Sequence, residues 1–142
     1  MRRDVLPRSR PTIPGPRSTD GQWLLELPFT TPLSLNDRMH WRVKAGKTKP
    51  WRAKTKEAAQ AAGIPACKRI TVELFYVPLD DRARDPLNLV PCVKAVEDGL
   101  VDAGVIVDDS SRYHTSVMPQ ITPKGPLRPN RNRFWVIVTA HQ

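Results

Sequence analysis

Apolar and polar residues alternate in two stretches of the chain and recur at helical spacing in a third. In RITVELFYV (69–77), Ile70, Val72, Leu74 and Tyr76 fall on one side and Thr71, Glu73 and Phe75 on the other, the period of a strand. QWLLELPF (22–29) puts Trp23, Leu25 and Leu27 on one face of a shorter strand. Pro28 and Pro32 then make the passage through TTPLSLNDRMHW irregular, because each fixes φ and lacks a backbone donor. WRAKTKEAAQAA (51–62) is rich in Ala, Lys, Glu and Gln and predicts a helix, stopped by Gly63 and Pro65. A second helix is predicted from Asn88, a good N-cap, with Pro91 in the first turn, where its missing N–H loses no bond. Leu89, Val93, Val96, Leu100 and Ala103 follow at spacings of four, three, four and three, forming one buried stripe, and Gly104 supplies the stop. VIV (105–107) reads as a brief extended segment. Weaker strand signals lie in RYHTSVMPQI (112–121) and RFWVIVTA (133–140), with a loop rich in Pro, Gly, Arg and Asn between them. The order β–α–β–α–β–β predicts an α+β domain, a small mixed β-sheet with two helices packed on one face.

Composition bounds this picture. At 142 residues one domain is expected, with 39% apolar residues and 15 prolines, about twice the usual proline share. Residues 1–19 combine five arginines with four prolines and show no periodicity. The domain is therefore placed at 21–142, after a disordered basic arm at 1–20. No apolar run approaches the ~20 residues that span a bilayer, so no membrane partner is expected. The first arginines are not followed by the apolar region of a secretory signal. Cys67 and Cys92 have neither CxxC nor His-paired spacing, which leaves zinc unsupported and fits a reducing cytoplasm.

Charge changes the picture most. A formal net charge of +9 and a pI near 10.2 point to a polyanionic partner, nucleic acid first. The charge is segregated: Arg38 to Lys56 holds eight basic residues and no acids, Val72 to Ser111 nine acids against three basic residues, and Arg112 to Arg133 five basic residues and no acids. Acids that only solubilise would be spread out, whereas acids that hold a divalent cation must converge. Asp85 precedes the second helix by one short loop, and Asp108 and Asp109 follow it. That helix is about 22 Å long, and the stretch from Gly104 to Asp109 reaches up to ~20 Å when extended, so it is able to return beside the central strand and bring Asp109 near Asp85. Lys94, Asp98 and Asp102 share one helix face at i, i+4 and i+8; for Asp102 the expectation is an exposed polar stripe.

Three segments in order then resemble the RusA family of Holliday-junction resolvases, small phage-borne endonucleases that cut four-way DNA junctions. PLSLNDRMHWR (32–42) is similar to "P-P-S-x-N-x-x-Y/W-R". RDPLNL (84–89) is similar to "R-D-x-D-N-L". Lys94 followed by DGLVDAGVIVDD (98–109) is similar to "K-x-x-x-D-A/G-L-x-x-A-G-x-x-x-D-D". The resemblance covers about Pro32 to Pro119 and implies a homodimer that uses Mg2+, or Mn2+ in its place, to hydrolyse branched double-stranded DNA in the cytoplasm of a bacterial host, encoded by a phage or prophage. It implies catalytic roles for Asp85, Lys94 and Asp109 and metal-binding roles for Asp85, Asp109 and Asp108. Two features depart from the pattern. Leu87 stands where the family has its second aspartate, and three extra residues lie between Asn88 and Lys94. Asp108, Asp81 or Asp98 could replace the missing carboxylate, Mg2+ could take more water, or the protein could be a catalytically degenerate DNA-binding relative.

The basic segments complete the expected interface. NDRMHWRVKAGKTKPWRAKTK (36–56) interleaves cations with Trp41 and Trp51. Asn36, Arg38, Trp41, Arg42, Lys44, Lys47, Lys49 and Arg52 are its DNA-contact candidates, with Arg82 and Arg84 beside the acidic site. Trp41 is placed in a polar loop, Gly46 at a flexible tip, and Trp51 by preference as an anchor of the first helix. Trp135 is assigned to the core, and His40 and His114 to ordinary surface or loop positions. A basic RNA-associated adaptor, its acids merely solubilising, is the competing class.

Overall fold

The computed structural model describes residues 21–29, 32–33, 41–78, 83–108, 110–122 and 134–141, without the side chains of 41–45. The expected N-terminal arm lies outside these residues. The elements are β1 (Gln22–Leu27), α1 (Trp41–Ala62), β2 (Arg69–Tyr76), a short 3-10 turn (Pro86–Leu89), α2 (Val90–Asp102), β3 (His114–Ser116), β4 (Gln120–Ile121) and β5 (Phe134–His141). The five strands form one mixed sheet in the order β1-β5-β2-β3, with β4 also on β2, so the α+β class read from the sequence holds. β5 is antiparallel to both β1 and β2, whereas β3 and β4 are parallel to β2, at its start and its end respectively.

Alternation along the strands makes two apolar faces. Leu25, Leu27, Ile70, Val72, Leu74, Phe134, Val136 and Val138 point to the side that carries both helices and pack with Trp51, Ala59, Val93, Val96 and Leu100. Phe75, Val77, Trp135 and Ile137 form a smaller cluster on the other side. Trp135 therefore belongs to the interior, as expected.

Three local expectations need correction. The first helix begins at Trp41, not Trp51, and runs through Pro50, so Trp41 is not in a loop and Gly46 is not a loop tip. Proline's φ suits a helix, and its main cost is the bond its absent N–H would make. Tertiary contact favours continuity here: Trp51, one residue on and 2% exposed, stacks on Phe29 at 4.6 Å and meets Phe134 edge-on at 4.9 Å. At the second helix Asn88 is not the cap. Asp85 caps the preceding 3-10 turn by accepting from the Leu87 N–H at 3.0 Å, and α2 follows without a side-chain cap. The single strand expected over 112–121 is two short ones, β3 and β4. Gly104 does end α2, with φ at +79°, a conformation glycine adopts without strain.

Candidate functional site

A cavity of about 310 Å³ opens where β2 and β4 end side by side, a position where parallel strands commonly present ligands. Pro32, Tyr76, Arg84, Asp85 and Asn88 line it. Tyr76 is fixed by stacking on Phe134 at 4.7 Å, and the Arg84 guanidinium sits 6.0 Å from the Tyr76 ring centroid. Asp85 is held by its capping bond and by its carbonyl, which accepts from the Asn88 N–H at 3.0 Å. Pro32 is held through its neighbour: the buried Cys92 Sγ accepts from the Leu33 N–H at 3.2 Å, and its S–H donates to the Leu33 carbonyl at 3.3 Å. Burial pushes the Cys92 thiol up to about 12, so it stays protonated and serves as a latch rather than a nucleophile. Pro32 of the first segment singled out above thus joins Arg84, Asp85, Asn88 and Leu89 of the second around one cavity.

The third segment does not reach it within one chain. After α2 the Val105 carbonyl accepts from the Cys67 N–H at 2.7 Å, and the Tyr113 carbonyl accepts from the Ile70 N–H at 2.8 Å, which ties Val105 and Tyr113 to the start of β2. Residues 104–108 therefore do not make the expected return toward Asp85. Because β2 and β3 are parallel, α2 is a crossover, and the loops before and after it lie at opposite ends of the sheet. Between Asp85 and Asp108 runs α2, 13 residues or about 20 Å long. Asp108 is fully exposed and accepts from the Ser110 N–H at 2.8 Å, a bond that lowers its pKa. Asp109 lies outside the described residues, as does Asp81. Lys94 is on α2 and pairs with Asp98 at 3.0 Å. Leu87, where the resemblance leads one to expect an aspartate, is 50% exposed beside Asp85. Among the described residues no three His, Cys, Asp or Glu side chains gather as a metal site. Asp85 keeps one carboxylate oxygen outside its capping bond, which suits a hard cation that retains most of its water.

Of the DNA-contact candidates, Lys47, Lys49 and Arg52 are exposed on α1, and Arg84 lines the cavity. Trp41, Arg42 and Lys44 have helical backbone, while Asn36, Arg38 and Arg82 lie outside the described residues. Arg52 is bound across the helix pair to Asp102 through Nε at 3.2 Å and Nη2 at 3.0 Å, so Asp102 is no mere stripe residue. That bond raises the Arg52 pKa further.

One cluster went unread in the sequence. Glu97, 5% exposed on α2, accepts a hydrogen bond from Ser116 Oγ of β3 and lies 3.4 Å from His114 Nδ1. Burial raises the Glu97 pKa, while His114 and Lys94 oppose the rise. His114 is thus largely buried against an acid, not an ordinary surface residue. No spacing signal could have found this group, since β3 meets α2 only through the crossover. The chain matches no known family model and no curated protein.

Proposed function

We propose that the protein is a divalent-cation-dependent endonuclease of the RusA kind, acting as a homodimer on four-way DNA junctions in the bacterial cytoplasm. The observation that carries this reading is the meeting of Pro32 with Arg84, Asp85 and Asn88 around one cavity at the ends of the parallel strands. Distant segments of the three-part pattern are adjacent there in space. Asp85 would hold Mg2+ with Asp108 and Asp109. Since Asp85 and Asp108 stand at opposite ends of α2 in one copy, the carboxylates that share an ion come from two copies related by a two-fold axis. Bound there, the cation would supply an activated water and offset charge on the phosphate. Arg84 and Lys94 bring positive charge to the scissile phosphate, and the exposed cations of α1 hold flanking backbone.

Leu87 favours a second reading, a DNA-binding relative that has lost the chemistry, because a half-exposed apolar side chain stands where a ligand is missing. A labelled four-way junction with Mg2+ separates the two. Symmetric nicks, abolished by Asp85→Asn with binding retained, support the nuclease. A shifted but uncut junction supports the second reading, more so if Leu87→Asp restores cutting. Failure to prefer a junction over linear duplex would refute both.

A further inference from the structure

At the far end of α2 from the cavity, an open trough of about 570 Å³ lies between the two helices, lined by Thr48, Lys49, Arg52, Lys56 and Asp102. Lys49, Arg52 and Lys56 follow at i, i+3 and i+7, so they occupy successive turns of one face of α1 and span about 10 Å, roughly three phosphates of a DNA strand. Neither Lys49 nor Lys56 has an acidic partner among the described residues, whereas Lys54 leans on Glu57 at 3.5 Å. Asp102 is out of place as a stabiliser: a carboxylate on the last turn of a helix opposes the helix dipole, and an exposed ion pair adds little.

Its geometry makes sense as positioning. Asp102 takes the side-on edge of the guanidinium, Nε and Nη2. The end-on edge, Nη1 with the second Nη2 hydrogen, stays available to make two parallel bonds to an oxyanion. Both residues sit on closely packed helices, since a Cβ at Gly99 would come within 2.6 Å of Thr55 Cβ and 2.7 Å of the Arg52 carbonyl.

We propose that this trough is a second nucleic-acid site, in which Lys49 and Lys56 contact successive backbone phosphates of DNA and Asp102 is a positioning residue that aims Arg52 at a third. The inference rests on the DNA-binding part of the proposed function. The trough lies about 20 Å along α2 from Asp85 of its own copy, at the end of the helix that leads to Asp108.

The test is binding of a labelled linear duplex by the full chain in EDTA across a NaCl series. Lys49→Gln with Lys56→Gln lowers the slope of log Kd against log salt by about 2, at ~0.9 per phosphate contact. Arg52→Lys, which keeps the charge and loses the fork, weakens binding about tenfold. Asp102→Ala also weakens it about tenfold although it removes a negative charge, and it adds nothing in the Arg52→Lys background. Tighter binding by Asp102→Ala would show plain electrostatics and overturn the positioning role; Asp102→Asn, which preserves side-chain volume, must agree in sign. An unchanged salt slope in the double lysine variant overturns the site. Displacement of DNA by inorganic phosphate at matched ionic strength would mark a free-anion pocket instead and also overturn it. If the parent chain binds and cuts junctions while these variants behave like it, only the trough falls; if the parent chain binds no DNA, the proposed function falls too.

Discussion

Glu97 occupies the environment least suited to its own charge. Burial lifts its pKa above the ordinary 4.5, so the folded protein holds that proton more tightly than the unfolded chain. The stability linked to the protonated carboxyl is complete below about pH 4.5 and is lost as pH rises through the folded value. Glu97→Gln keeps an acceptor for Ser116 and removes the ionisation. It should melt at a higher temperature than the parent at pH 7, with the gain closing by about pH 4; a His114→Gln background repeats the comparison without the imidazole. A pH-independent difference would show that ionisation of Glu97 is not the cause. Cys92 makes the complementary case of a satisfied polar group. Cys92→Ala leaves the Leu33 N–H and carbonyl without their partner and should cost about 1–3 kcal/mol in urea unfolding, most of it recovered by Cys92→Ser. Neither residue's role was legible from its neighbours in sequence. Glu97 stands beside Asp98 between the stripe residues Val96 and Leu100, where an acid reads as part of the helix's polar side, and Cys92 looks like one more apolar position of a helix.

Elements were legible to the extent that their own residues decide them. The strict alternation of β2 and the stripe of α2 survive in the structure because burial on one face is a period, and periods are local. Asn88 failed as a cap because Asp85, three residues earlier, opens a 3-10 turn first. The helix start expected at Trp51 lies instead at Trp41, beyond Pro50, and the partners that hold Trp51, Phe29 and Phe134, are far away in sequence. The same long-range logic makes Gly99 diagnostic. In an isolated helix glycine to alanine stabilises by up to ~1 kcal/mol, but here the new methyl meets Thr55 and the Arg52 carbonyl. Gly99→Ala should therefore destabilise by about 1–3 kcal/mol in denaturant melts, the opposite sign. A stabilised variant would mean that the helices are not in this close contact.

At the scale of the molecule the crossover is decisive. It sends Asp85 and Asp108 to opposite ends of α2, so an ion shared by the two, as proposed, takes its ligands from two copies. A mixing experiment follows. Asp85→Asn and Asp109→Asn should each be inactive alone on a junction, yet a mixture of the two should nick, since a mixed dimer retains one intact pair of carboxylates. Absence of activity in a mixture shown to exchange subunits would place both acids of a site in one chain. No described helix is long and apolar enough to cross a membrane, in keeping with the hydropathy of the sequence.

By itself the sequence determined the α+β class, the strands and helices with strong periodicity, the segregation of charge and the residues of the candidate cavity's second segment. These follow from side-chain alternation, helix propensity and composition, which act over a few residues. Only the tertiary structure decided that Pro32 joins Asp85, that Asp108 does not, that Glu97 meets His114 and that Asp102 grips Arg52. Those pairings depend on strand order and on a parallel connection between β2 and β3, and the direction of a chain across a sheet is set by packing of the whole domain rather than by any local pattern.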